Sequence, residues 1–200
     1  KSVVFGAEAT PTPTPTPPVG ARSTMYVQGR HLYSAAGEKV TLHGVNEMFI
    51  WMQQNTWGPT LAEIAKTNAN VVRLVWDTNG TPAALDTLIQ LTLQNKMIPY
   101  GELHGATGNI SAVPAMVDYW VRPEVVSVIK KHEKWFLLNI ANEAGGSGVS
   151  DATFLSTNQT AITRIRNAGI NVPIIIDGTQ WAMNHTQLWR TWQTLQEHDP

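Results

Sequence analysis

Trp135–Gly146, WFLLNIANEAGG, decides how the rest of the chain reads. It opens on an unbroken apolar run (Trp135, Phe136, Leu137, Leu138, Ile140), the pattern of a strand buried on both faces, as in parallel sheets. The run stops on Asn142 and Glu143, followed by Ala144, Gly145 and Gly146. An amide and a carboxylate at the carboxyl end of such a strand stand where α/β barrels and open α/β sheets both place their chemistry. The plainer reading makes Asn142 a turn cap and Glu143 a solvated loop residue.

Working outward, the same rhythm repeats. A small hairpin turned at Ala36–Gly37 runs into a first strand near Val40–Val45, and Trp57–Asn68 has helical spacing. Asn70–Trp76 (NVVRLVW) is a second buried strand, and Thr81 caps a helix over Pro82–Asn95. Met97–Leu103 is a third strand, and Ala112–His132 is helical with a break at Pro123. After the fourth strand, Trp135–Ala141, come a helix over Asp151–Ala168 stopped by Gly169, a fifth strand at Val172–Asp177 and a helix at Thr186–Glu197. Five strand–helix units at a spacing of about 30 residues mean a parallel sheet with right-handed crossovers. LHGVNE is not the glycine-rich phosphate turn that an open doubly wound sheet carries after its first strand. The expected fold is therefore α/β, a TIM-type (β/α)8 barrel truncated after its fifth unit, since such barrels run to about 250 residues. Upstream, Thr10–Pro18 (TPTPTPTPP) favours an extended polyproline spacer. That divides the chain into a remnant of a preceding module at 1–9, a linker at 10–20 and a catalytic domain at 21–200.

Bulk properties narrow the partners. Of 200 residues only 14% are charged, against roughly 25% in a typical domain, and the net charge is −1. Nothing here attracts nucleic acid or an anionic membrane, and a neutral partner fits better. No apolar run is long enough to span a bilayer, and the opening residues are not expected to be a signal peptide. Cysteine is absent, which excludes disulfides and thiolate metal sites. Eight Trp residues are more telling, because indole packs or stacks on flat partners.

Polar residues collect at the strand ends. They are Asn46 and Glu47 on the first strand and Arg73 on the second, which ends at Trp76. Glu102 and His104 on the third are two apart, so they share a face. Asn142 and Glu143 end the fourth strand, and Asp177 the fifth, with Trp181 just after. Trp51 and Trp57 follow the first strand. Carboxylates, an amide, a His, an Arg and Trp at one end of a sheet suit a cleft for sugars, whose rings stack on indole and whose hydroxyls need polar partners.

The motifs HGVN, VVRLVW, ELHGATG, VDYW and NIANEAG together resemble glycoside hydrolase family 5, most closely its bacterial mannanase and cellulase branches, from about Met25 onward. The resemblance implies that Glu143 is the general acid/base and that Asn142 holds the sugar 2-hydroxyl. Arg73 would support the catalytic carboxylates, His104 would be the strand-three His, and Trp181 a wall of the cleft. Retaining hydrolysis uses two carboxyl groups roughly 5–5.5 Å apart, one protonating the leaving oxygen and one attacking the anomeric carbon. In the resembled family the nucleophile is a Glu ending strand seven, and these 200 residues hold no strand seven. A second departure is Gly105, where close relatives usually place Asp.

The remaining residues read more plainly. Asn46, Trp51, Trp76 and Trp181 are expected to bind substrate, with Trp57 a weaker platform. Glu102 reads as a structural partner of Arg73, and His43 as a packed core residue. His31, His132, His185 and His198 read as surface, and Trp120, Trp135, Trp189 and Trp192 as packing. AGGSG lacks the spacing of a phosphate loop and misses the GxSxG elbow, and no HExxH occurs, so no metal or cofactor is expected.

The function expected is a secreted retaining β-1,4-glycanase acting on a β-linked polysaccharide, with mannan ahead of cellulose; a tethered carbohydrate-binding module is a candidate partner, and the module before the linker is left open. The alternative is a non-hydrolytic carbohydrate-binding half-barrel. The 200-residue chain alone is expected to be inactive and, with two unpaired strand edges, to associate.

Overall fold

Val71–Trp76 forms β5, six residues of which all but Arg73 are buried. The computed structural model describes residues 22–199, so the expected module remnant at 1–9 and linker at 10–20 lie outside the described residues. β5 belongs to a five-stranded parallel sheet in the order β4-β5-β6-β7-β8. The other strands are β4 (Gly44–Glu47), β6 (Ile98–Leu103), β7 (Leu137–Asn139) and β8 (Ile174–Ile175). Spatial order equals chain order, and helices fill every crossover: α1 (Gln54–Ala65), α2 (Pro82–Gln94), α3 (Val113–Trp120) with α4 (Pro123–Lys131), and α5 (Asp151–Asn167). α6 (His185–His198) follows β8. This is the winding of the first five units of a (β/α)8 barrel.

Local chemistry sets the element ends. The Thr81 side chain accepts the Ala84 amide N–H, and Pro82 takes the first helical position, where no amide donor is needed. Arg122, which precedes Pro123, is extended at ψ 134°, so α3 and α4 separate where expected. α5 ends before Gly169, whose φ of +81° lies in the left-handed region. α1 starts three residues before the expected Trp57, because the polar first turn Gln54–Thr56 carries no apolar repeat. Its end comes earlier too, as Asn68 turns left-handed at φ 62°.

The first parallel strand begins later than Val40–Val45. Lys39–Val40 is instead β3, the edge of a small antiparallel sheet with β1 (Tyr26–Gln28) and β2 (His31–Tyr33). The intervening 41–43 segment is drawn out of any ladder by Asn70. The Asn70 side chain accepts the His43 N–H at 2.9 Å and donates to the Thr41 carbonyl at 2.7 Å. β4 then lies so close to β5 that a Cβ on Gly44 would sit 1.8 Å from the Val71 carbonyl oxygen. Only glycine fits there.

Alternation divides the sheet into two faces. Val72, Leu74, Trp76, Leu138 and Ile140 pack under the helices, among Leu85, Leu88, Ile89, Phe154 and Ile165. Each fully buried aliphatic side chain there contributes about 1.5–3 kcal/mol. On the opposite face Val71, Ile98 and Leu137 pack with Met25, Leu32 and Val40, so the antiparallel sheet plugs the amino-terminal end of what is the barrel interior. The carboxyl-terminal end of that face carries the polar residues.

Several single-residue expectations change. His43 is exposed, not packed in the core. His132 is not at the surface, because its side chain is only 9% exposed and its Nε2 lies 2.6 Å from Asp86 Oδ1. Burial alone would push the Asp86 carboxyl up, yet the bonds from Lys131 and His132 hold it below its usual range. Trp120 packs as expected, whereas Trp189 and Trp192 are exposed beside a groove of about 990 Å³ between β1 and α6. That groove follows the β8 side of the sheet, away from the polar strand ends.

Candidate active site

Arg73 is the centre of the polar cluster. Its Nη2 donates to Asn142 Oδ1 at 2.8 Å. Its guanidinium lies 3.4 Å from Glu102 Oε1 and 3.7 Å from Asp177 Oδ2, and it stacks over the Tyr100 ring at 5.4 Å. A planar cation with five donors suits one site shared by three strands. Asn142 is held from two further sides: its Nδ2 donates to Thr107 Oγ1 at 2.8 Å, and its backbone N–H to the Leu103 carbonyl at 2.8 Å.

Glu102 is completely buried, which raises its carboxyl above the ordinary range against the opposing pull of Arg73 and His104. Oε1 lies 3.0 Å from His104 Nδ1, and no protein group among the described residues reaches Oε2. That contact engages Nδ1 and leaves Nε2 as the ring nitrogen without a hydrogen-bond partner among the described residues. Trp51, 63% exposed, meets the His104 ring edge-on at 5.5 Å.

Glu143 follows directly and adopts a left-handed backbone, φ 45°, rare for a residue with a side chain. Its N–H donates to Asp177 Oδ2 and its carbonyl accepts from Gly108, both at 2.9 Å. The backbone is thus clamped at both ends, while the half-buried carboxylate makes no hydrogen bond to the described residues. Trp181 lies across the same loops: a Cβ on Gly108 would come within 2.7 Å of its indole nitrogen, and one on Gly146 within 3.6 Å of the ring. The ring is 46% exposed.

The structure therefore brings together Arg73, His104, Asn142, Glu143, Trp51 and Trp181. Asn46 joins them in register with Arg73 on β4, exposed at the strand end. Trp76 does not belong. It is 1% exposed, with its indole N–H bonded to Tyr119 Oη at 2.8 Å under the helices, and so cannot be a sugar platform. Trp57 is likewise buried and donates to the Phe49 carbonyl. Thr107, which the sequence reading did not name, and Asp177, which it placed at the end of the fifth strand without a role, hold Asn142 and Glu143. Asp177 had the same visible signal as Glu143, a polar residue closing an apolar strand; Thr107 had none. Gly105 is exposed, and a Cβ there would meet Met116 Cε at 3.1 Å and Asp77 Oδ2 at 3.9 Å. Among the described residues no group of three or more His, Asp or Glu is arranged to hold a metal ion.

Residues 33–191 match the family model described as Cellulase (glycosyl hydrolase family 5). The chain belongs to glycoside hydrolase family 5. It is 30% identical over 182 residues to a mannan endo-1,4-beta-mannosidase of Cellvibrio japonicus, covering 86% of this chain and 41% of that protein. A second mannan endo-1,4-beta-mannosidase, from Salipaludibacillus agaradhaerens, is also 30% identical, covering 88% of this chain and 58% of that protein. The beta-mannanase of Thermomonospora fusca, solved with mannohexaose, superposes with a TM-score of 0.80 at 26% identity, over 90% of this chain and 63% of that one. The chain thus spans about half the length of these two curated relatives. In this family 5 chain, five β/α units carry every residue of the cluster.

Proposed function

We propose that this chain is the acid/base-bearing part of a secreted retaining β-1,4-glycanase that acts on mannan, with Glu143 as the general acid/base. The observation that carries the reading is Glu143 itself: a free carboxylate on a backbone clamped at both its N–H and its carbonyl, beside exposed Trp51 and Trp181. A general acid must sit within reach of the leaving oxygen in one fixed geometry. Arg73 holds Asn142 and balances the local negative charge, His104 offers Nε2 to substrate, and the two indoles supply flat apolar faces. The similarity to mannan endo-1,4-beta-mannosidases and to a mannanase solved with mannohexaose supports mannan over cellulose. The Thr–Pro repeat at Thr10–Pro18 supports an extracellular, multi-modular setting.

A specific observation favours a second reading, non-hydrolytic carbohydrate binding by these residues alone. Retention needs a second carboxylate as nucleophile. Among the described residues, Glu102 and Asp177, the carboxylates of the cluster besides Glu143, are both engaged with Arg73 and so are poor nucleophiles.

One experiment separates the readings. The chain, alone and within a full-length protein that carries it, is incubated with mannan, glucomannan, carboxymethyl cellulose and xylan, and reducing ends are counted. Release from mannan that falls about 10²–10⁴-fold in Glu143→Gln supports hydrolysis. Binding of mannohexaose without turnover in either form supports the second reading. Turnover indifferent to Glu143→Gln overturns the assignment.

A further inference from the structure

Asp177 stands two residues after β8 with a side chain only 16% exposed. Its Oδ1 accepts the Asn139 amide at 2.9 Å, and its Oδ2 accepts the Glu143 backbone N–H at 2.9 Å, with Arg73 Nη2 3.7 Å from the same oxygen. One carboxylate therefore touches β5, β7 and the turn after β7. What makes this more than an ion pair is the backbone it grips. A left-handed conformation costs an L-residue roughly 1–2 kcal/mol, and Glu143 holds it at φ 45°. Such strain persists only where the surroundings over-determine it. The Glu143 carbonyl has an ordinary backbone donor in Gly108, but its N–H is given to a charged oxygen, a bond roughly twice as strong as a neutral one. Arg73 completes the arrangement: it holds the side chain of Asn142 while Asp177, facing it, holds the backbone of Glu143.

We propose that Asp177 is a positioning residue that keeps the Glu143 backbone left-handed and thereby aims the Glu143 carboxyl into the cleft. The proposal rests on the acid/base reading of Glu143 for its consequence, though not for the contact itself. Asp177 acts through Glu143 and need not touch the reacting atoms.

The test is amide hydrogen exchange on the isotopically labelled full chain, comparing the parent with Asp177→Ala and Asp177→Asn. Two amides serve as internal references, Asn142, held by the Leu103 carbonyl, and Leu138, held by the Pro173 carbonyl. Asp177→Ala should speed exchange at Glu143 at least about tenfold relative to both references, the effect of losing one charge-assisted bond. Asp177→Asn keeps one acceptor oxygen and should speed it about threefold; it carries the readout if the alanine variant does not fold. Unchanged Glu143 exchange overturns the proposal. So does equal acceleration at Leu138, Asn142 and Glu143, which would mark Asp177 as a general strand staple. Where mannan is turned over, both variants should lower kcat at constant KM, and a rise in KM at constant kcat would count against positioning. Glu143→Gln measured alongside keeps the two ideas apart: if it leaves turnover intact, the acid/base reading fails while the exchange data still judge the Asp177 contact.

Discussion

At Glu143 function and stability pull in opposite directions. Its φ of 45° suits glycine better than glutamate. Glu143→Gly removes the Cβ penalty but gives the unfolded chain more freedom, so the net change expected is between zero and about 1 kcal/mol of added stability, with loss of any turnover. A denaturation midpoint clearly below the parent's would contradict this. Glu102 allows a pH test. Burial raises its folded-state carboxyl above the unfolded value, so its stabilising contribution is complete at low pH and is lost as pH rises through the folded value. Glu102→Gln should therefore gain on the parent from about pH 4 upward, read as the difference in Tm across a pH series. A constant difference would mean that Glu102 titrates normally. Much of this site was legible residue by residue, since His104, Asn142 and Glu143 follow buried strands and Arg73 interrupts an apolar run. Trp76 was misplaced although its parity was visible: it stands three residues after Arg73 on one strand and so must face the other side. Glu102 and His104, two apart, do meet.

Loops and helix ends decide how the cleft is walled. Gln180, Trp181 and Ala182 are left-handed in succession, at φ 54°, 53° and 63°, which turns the chain sharply and lays Trp181 over the loop of Gly108 and Gly146. Gly108, at φ 71°, has no room for a Cβ beneath the indole. Gly108→Ala should displace Trp181 and destabilise the fold by about 1–2 kcal/mol. A shifted Trp181 fluorescence with weaker mannohexaose binding is the expected signature, and unchanged binding would dissociate the indole from the ligand. The sequence contained the glycines but not the reason for them, because a left-handed run has no periodic signal. At the start of α5, hydrogen bonds from Arg190 and then Gln187 lower the Asp151 carboxyl to about 2. A depressed folded-state value stabilises above the unfolded value near 4 and is lost as pH falls through the folded one. Asp151→Asn should lower Tm at pH 6, with the gap to the parent closing toward pH 2. A gap independent of pH would assign the contact no ionic part.

Across the whole molecule, β4 and β8 form the two edges of the parallel sheet among the described residues, each paired on one side. Val45 and Met48 are exposed at the first edge, and Trp189 and Trp192 beyond the second. Unpaired backbone donors beside apolar surface favour association. Size-exclusion chromatography of the 200-residue chain should show species above 22.0 kDa that grow with concentration, whereas a concentration-independent monomer would refute this. By itself the sequence determined the α/β winding, the order of the five strands, the helix breaks at Pro123 and Gly169, the strand-end residues His104, Asn142 and Glu143, and Arg73 within the second strand. It could do so because strand and helix periods, proline and glycine act within a few residues of themselves. The tertiary structure alone decided which residues reach one another. Asn70 unmaking a strand at 41–43, Thr107 holding Asn142, and Asp177 gripping the Glu143 amide all join positions about 30 residues or more apart. Such contacts depend on strand register and loop path, which no local pattern encodes.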